Sequence, residues 1–191
     1  MGIFPFSIFY DLGVSDKMIR MIKAGSENQN DWITVRLAML REVNHLPESY
    51  QFPDSFVKSC CDYFENGHQT TVLAYDDDKI IGCATLCYLN LLPTFDHPTG
   101  RRAHLMNVYT QKEFRKQGIA STMLYLLTEE AKENGVTEIT LDATEHGKGL
   151  YQKYGFVKSE ECMVLNFREQ LKKNIERYEK FGCKPYGHCG E

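Results

Sequence analysis

The sequence has no apolar run near the ~20 residues a membrane helix needs and no CxxC pair or Lys/Arg cluster. It also lacks both glycine-rich phosphate motifs, GxxxxGK[ST] and GxGxxG. Each absence removes a class of protein. Without an apolar run there is no membrane span. With 22 basic residues against 26 acidic ones, the formal net charge of -4 leaves no basic footprint for nucleic acid and suits a cationic amine substrate. The 7 cysteines are odd in number and scattered, so neither a disulfide framework nor a zinc finger is indicated, and the expected setting is the reducing cytoplasm. Near the end, Cys183, His188 and Cys189 fall short of the four ligands of a structural zinc site, so residues 182–190 read as a tail and no metal is expected.

What is present fits one globular domain. A chain of 191 residues is long enough for a single well-formed core and short for two. Residues 18–167 are assigned to that domain, 1–17 to an N-terminal extension, and 168–191 to a C-terminal helix and tail. The extension lacks a basic start and a small-residue cleavage site, which argues against a signal peptide. It reads either as packed chain or as an upstream start ahead of Met18.

The patterning gives the order of elements. Residues 18–24 suit a short strand. Asn30 and Asp31 offer caps before Trp32, Val35, Leu37, Met39, Leu40 and Val43, which recur at roughly helical spacing until Leu46-Pro47. A second helix fits 54–66, lined by Phe56, Val57, Cys60, Tyr63 and Phe64 and closed by Gly67. Strands over 70–75 and 79–90 meet at Asp76-Asp77-Asp78, which favours a hairpin turn over a metal site. A loop with Pro93, Pro98 and Gly100 leads to a strand over 103–110. The strongest helix spans 118–134, with Ile119, Met123, Leu127 and Ala131 on one face and Asn134-Gly135 at its end. A strand over 138–143, a short helix over 148–154 and a last strand over 163–167 complete the pattern. The sum is an α/β fold with a mixed, mostly antiparallel central sheet and flanking helices, not a doubly wound one.

Chemistry concentrates between Thr110 and the long helix, at Phe114-Arg115-Lys116-Gln117-Gly118-Ile119-Ala120-Ser121. A helix start leaves backbone N–H groups unpaired and carries partial positive charge, so a tight strand-to-helix turn wraps a pyrophosphate in main-chain donors. Gly118 and Ala120 let the backbone approach closely. These residues resemble the [Q/R]-x-x-G-x-[G/A] signature of the GNAT superfamily of acetyl-CoA-dependent N-acetyltransferases, with Arg115, Gly118 and Ala120 at its defined positions. Downstream, Gly149-Leu150-Tyr151-Gln152-Lys153-Tyr154-Gly155-Phe156 is similar to the family's A-x-x-L-Y-E-K-x-G-F segment, in the correct order and on the expected element.

The resemblance implies that the strand over 103–110 splays from the one over 138–143, with acetyl-CoA as co-substrate in the gap. Val108, Tyr109 and Thr110 would meet its pantetheine arm through main-chain atoms. Arg115, Lys116, Gln117, Gly118, Ile119, Ala120 and Ser121 would hold the pyrophosphate. Thr144 stands where many members have Asn, and would still hydrogen-bond the coenzyme; Gly147 stands where Ala is usual. By motif position Tyr151 is the candidate general acid for the leaving thiolate, the alternative being an aromatic that packs the short helix; Tyr154 is its near neighbour.

His104 is the candidate general base, since an imidazole is suited to take a proton at neutral pH, the alternative being a strand histidine that satisfies a loop. Strand alternation sets it on the same side as Met106, Val108 and Thr110. Glu42, Glu48 and Glu145 are weaker candidates. Cys162 and the Cys60-Cys61 pair read as buried thiols, because direct transfer needs no acyl-enzyme. The expected acceptor is a primary amine on a small molecule, aminoglycoside-like or polyamine-like. A protein or peptide amine is the rival within enzymes, and a non-catalytic acyl-CoA sensor the rival outside them. The charged segment 168–181 reads as a helix, either covering a sheet edge in a homodimer or standing in solvent.

Overall fold

In the computed structural model of the chain, residues 8–11, 18–160, 163–165 and 167 are described. β3 (Gln69–Asp76) and β4 (Lys79–Asn90) are buried through their interiors, the pattern of strands covered on both faces. They turn at Asp77-Asp78, where Asp77 takes a φ of 52°, a left-handed value that Asp tolerates. β2 (Met18–Lys23) lies on the other side of β3, and β1 (Ile8–Asp11) lies outside β2. β5 (Arg101–Thr110) flanks β4, and β6 (Glu138–Leu141) flanks β5. The sheet order follows the chain, β1-β2-β3-β4-β5-β6, and every pairing is antiparallel except β5 with β6.

One face of the sheet carries α1 (Gln29–Val43) and α2 (Asp54–Asn66). Their contact is built on Trp32, Val35, Cys60 and Phe64 over Ile22, Leu73, Tyr75 and Cys83, with the Trp32 and Phe64 rings 4.8 Å apart. α3 (Ile119–Glu133) crosses the other face over β3, β4 and β5, burying Ile119, Met123, Leu124, Leu127 and Ala131. α4 (Lys148–Tyr154) follows β6. Among the described residues no helix is long and apolar enough to cross a membrane.

α3 also buries a charge. Glu130, 9% exposed, accepts from Thr70 Oγ1 at 2.7 Å and from Lys23 Nζ at 2.5 Å. Thr70 meets the Tyr88 hydroxyl in turn. Replacing Glu130 by Ala leaves the buried Thr70 hydroxyl without this acceptor, while the half-exposed Lys23 regains water. The expected cost is about 2 kcal/mol of unfolding free energy, read by urea titration.

The residues expected for α2, β4 and α4 are those observed, and the ends of the remaining expected helices and strands shift by a few residues. Two differences are larger. β1 adds a strand inside the stretch read as an extension, because a sheet edge offers backbone pairing whatever the side-chain pattern. The strand expected over 163–167 does not form at 163–165, where Met163, Val164 and Leu165 are exposed and outside regular structure. β-propensity acts only where a pleated, half-buried surface exists to receive it. The helix expected over 168–181 and the tail cysteines and histidine lie outside the described residues. The chain divides after Tyr154 into two units, and every element named above belongs to the first.

Candidate active site

The parallel pair between β5 and β6 is short. It runs from Arg102 opposite Glu138 to Leu105 opposite Leu141 and stops there. β5 continues to Thr110, so its last residues have no β6 partner, and the expected splay begins at Leu105.

A bulge falls in this unpartnered stretch. Thr85 of β4 faces Met106, but Cys83 faces Tyr109, so Asn107 and Val108 together oppose Ala84. Asn107 is buried and adopts a φ of 58°. Its side chain accepts from Arg36 Nη1 at 3.0 Å and donates to Cys83 Sγ at 3.2 Å. The inserted residue corrects the expected alternation. His104, Met106 and Tyr109 pair with Cys87, Thr85 and Cys83 on the face of α1 and α2. Thr110 pairs with Gly82 and falls on the α3 face, opposite to His104, because one extra residue reverses a two-residue period.

β5 leads into the turn before α3. Gln111 N–H donates to Ile81 O, a 3-10 turn spans Lys112–Phe114, and Lys116 takes a φ of 62°. Gly118, with a φ of 82°, is the N-cap of α3 and carries no side-chain cap. The first helical bond runs from Thr122 N–H to Gly118 O at 2.9 Å, which leaves the N–H groups of Ile119, Ala120 and Ser121 without helical acceptors. A Cβ added at Gly118 would meet nothing within 4 Å, so the chain is open around the N-cap of this helix. Thr110, at the strand end, holds a buried Oγ1 with no partner among the described residues. Unfilled donors at a positive helix end, an orphaned hydroxyl and open room above a left-handed glycine fit a phosphate-bearing ligand.

The cradle side chains do not all point at that space. Arg115 donates from Nη2 to both Glu42 oxygens at 2.8 and 2.9 Å and from Nε to Thr110 O at 2.8 Å. Its guanidinium lies 5.7 Å from the centre of the Tyr109 ring. Burial first, then the Glu42 carboxylate, push the Tyr109 phenol above its ordinary pKa. Gln117 donates to Glu113 O, and Lys116 and Ser121 are exposed.

His104 stands beside β6. Its Nδ1 lies 2.8 Å from Thr140 Oγ1, and its Nε2 lies 3.7 Å from Asp142 Oδ2. Thr140 holds one ring nitrogen, while the other faces a carboxylate beyond hydrogen-bond length.

α4 follows on a loop organised by Thr144. Gly147 N–H donates to both Thr144 O and Thr144 Oγ1, and Lys148 N–H donates to Thr144 O. The Thr144 hydroxyl expected to face the coenzyme thus also secures the entry to α4. The glycine at 147 is explained by Tyr151, whose Cε2 would lie 3.0 Å from a Cβ there. Tyr151 is partly buried, and burial raises its phenol above the ordinary 10.0. Tyr154 is distinguished from it by position, its hydroxyl lying 2.5 Å from Thr128 Oγ1 of α3. Neither Glu48 nor Glu145 joins these groups; Glu145 pairs with Lys148. Of the pair expected as buried thiols, Cys60 is buried but Cys61 only half-buried, because it lies on the outer side of α2 next to it; burial pushes Cys83 up to about 12 and raises Cys61. Cys162 lies outside the described residues.

Sequence reasoning named Tyr151, His104 and the cradle but not Arg36, Asn107, Thr140 or Asp142. One signal was available: an Asn inside a strand, at Met106-Asn107-Val108, is a residue type that tolerates left-handed backbone. The other three are recognised only through long-range contacts.

A model of the acetyltransferase (GNAT) family matches residues 37–156. Among solved structures, the chain is similar to a predicted acetyltransferase from Clostridium acetobutylicum solved with acetyl-CoA. The TM-score is 0.70 at 28% identity, covering 80% of this chain and 98% of that one. A GCN5-related N-acetyltransferase from Ralstonia eutropha JMP134 gives 0.65 at 19% identity, over 78% of this chain and 98% of that one. An aminoglycoside antibiotic 6'-N-acetyltransferase from Acinetobacter baumannii gives 0.60 at 18%, over 78% and 97%. At these last two identities the likeness is one of fold. Among curated proteins none matches the sequence.

Proposed function

Since the chain belongs to the acetyltransferase (GNAT) family and is an N-acetyltransferase, we propose that it moves the acetyl group of acetyl-CoA directly to a primary amine on a small molecule. The observation that carries the donor is the start of α3, where three backbone N–H groups have no helical acceptors and the N-cap Gly118 is open to free space. Ile119, Ala120 and Ser121 hold the pyrophosphate through these groups. The β5 segment at Val108, Tyr109 and Thr110 meets the pantetheine arm along the edge that β6 leaves unpaired.

The transfer needs two proton movements. The acceptor amine must be neutral to attack the thioester carbonyl carbon, so its ammonium proton goes to His104, directly or through a water. Nε2 is the nitrogen available, since Nδ1 is engaged by Thr140, and the Asp142 carboxylate stabilises the imidazolium as it forms. When the tetrahedral intermediate collapses, the carbon–sulfur bond breaks, the Tyr151 hydroxyl gives its proton to the thiolate, and the phenolate takes up the surplus proton that the attacking nitrogen sheds to become the neutral amide. The products are the acetamide and the free coenzyme thiol.

The net charge of -4 and the exposed Asp142 beside His104 support a cationic acceptor. Structures with this fold include aminoglycoside acetyltransferases, so aminoglycosides and polyamines head the acceptor panel, with amino acids and peptides beside them. At fixed acetyl-CoA, thiol release is expected with a small polyamine or aminoglycoside and not with peptides. Turnover with peptides alone moves the acceptor class to protein, and binding of acetyl-CoA without thiol release for any amine makes the chain a sensor. Replacing His104 by Ala is expected to lower kcat about 10²-fold at neutral pH, the deficit shrinking as pH rises and solvent deprotonates the amine. An unchanged kcat removes His104 from the mechanism.

A further inference from the structure

The segment from Asn107 to Lys116 has an unusual mechanical situation. Among the described residues its outer edge has no strand partner beyond Leu105, and two of its residues, Asn107 and Lys116, hold φ values of 58° and 62°. Left-handed backbone in such residues persists only where surroundings over-determine it. β4 holds part of the segment, through Cys83 on Asn107 and through Ile80 and Ile81 on Gln111, and two further grips come from one helix. Arg36 of α1 reaches Asn107 Oδ1 at 3.0 Å, and is itself held by Cys60 Sγ and by the Trp32 ring 5.6 Å away. Later on the same helix, Glu42 takes Arg115 Nη2 on both oxygens, while Arg115 Nε closes on Thr110 O.

We propose that α1 braces the donor-binding strand end, with Arg36 and Glu42 as positioning residues that grip it at the Asn107 bulge and at the Thr110–Arg115 turn. The proposal rests on acetyl-CoA occupying the cradle. It gives the motif arginine a particular role in this chain. Arg115 is held by a carboxylate and a carbonyl, so its side chain sets the shape of the turn and leaves the phosphates to main-chain donors. The same brace leaves Thr110 Oγ1 free, since Arg115 takes the carbonyl of Thr110 and not its hydroxyl.

The two roles for Arg115 predict opposite signs. If Arg115 were a phosphate ligand, removing Glu42 would release it and tighten donor binding. If α1 is a brace, Glu42→Gln weakens acetyl-CoA binding about fivefold, Arg115→Met weakens it by a similar factor, and the double variant is no worse than either single one. Arg36→Met weakens it about tenfold and Arg36→Lys recovers most of the loss. In each case KM for acetyl-CoA should rise more than kcat falls. S-acetylpantetheine, which lacks the phosphates, should suffer the same factors, because the brace acts on the strand.

The test is calorimetric titration of the full chain with both donors, beside steady-state kinetics and thermal unfolding. Tighter or unchanged binding by Glu42→Gln, losses confined to the phosphate-bearing donor, or losses that track only the unfolded fraction would each overturn the proposal. Failure of the wild-type chain to bind acetyl-CoA is a separate result: it removes the donor reading, and the brace with it.

Discussion

Tyr151→Phe lowers kcat by about 10²-fold or more while the affinity for acetyl-CoA stays near that of the wild type. The ring keeps its place over Gly147, where an added Cβ would come within 3.0 Å of Cε2, so the substitution removes the hydroxyl and leaves the ring packing. The pH profile separates the acid from a packing aromatic. Burial raises the Tyr151 phenol above 10.0, so the donor remains protonated across the neutral and mildly alkaline range. The wild-type rate therefore holds its plateau through pH 9 and falls only above 10, where the phenol begins to ionise. In the Phe variant that alkaline fall is absent. Should kcat survive the substitution, Tyr151 is a packing residue and the thiolate leaves with a proton from elsewhere.

Gly118→Ala has its effect on binding more than on stability. At a φ of 82° a side chain costs roughly 1–2 kcal/mol of backbone strain. No neighbour would clash with it, since a Cβ there meets nothing within 4 Å. The methyl group would instead project into open space at the start of α3, whose first N–H groups, those of Ile119, Ala120 and Ser121, lack helical acceptors. Loss of one or two hydrogen bonds to a charged phosphate corresponds to about a 10²-fold rise in the dissociation constant for acetyl-CoA. Calorimetric titration beside thermal unfolding gives both numbers. An affinity that falls no further than strain accounts for would move the pyrophosphate away from this turn.

The sequence carries the donor half of this site in local signals. Gly118 and Ala120 at the head of α3, and Tyr151 on a short helix that stops before Gly155, are fixed by spacing within a few residues. Helix ends and tight turns are decided locally, so those elements fall where patterning puts them. The bulge is different in kind. Whether Asn107 is an ordinary strand residue or an inserted one depends on which β4 residue lies opposite, and pairing register is a property of two segments. Alternation read along β5 alone therefore carried Thr110 to the wrong face. The grips of Arg36 on Asn107 and Glu42 on Arg115 join residues 71 and 73 positions apart, beyond the reach of any periodicity. At 163–165, apolar residues met no surface to complete a strand.

The early end of the β5–β6 pairing bears on how much of the sequence this site constrains. Because β6 leaves β5 at Leu105, the groups that β5 offers in the proposed donor site are main-chain N–H and C=O, which residues other than proline supply alike. Recognition of this kind is nearly indifferent to side-chain identity. It restricts Gly118, whose left-handed backbone favours glycine, and asks little of the side chains of Gln117 and Ser121. The informational load then falls on the residues that bend the backbone, Asn107 and its partners on α1. A short signature with many unspecified positions is what such a site writes into its sequence, and the side chains it releases are available to shape the acceptor pocket.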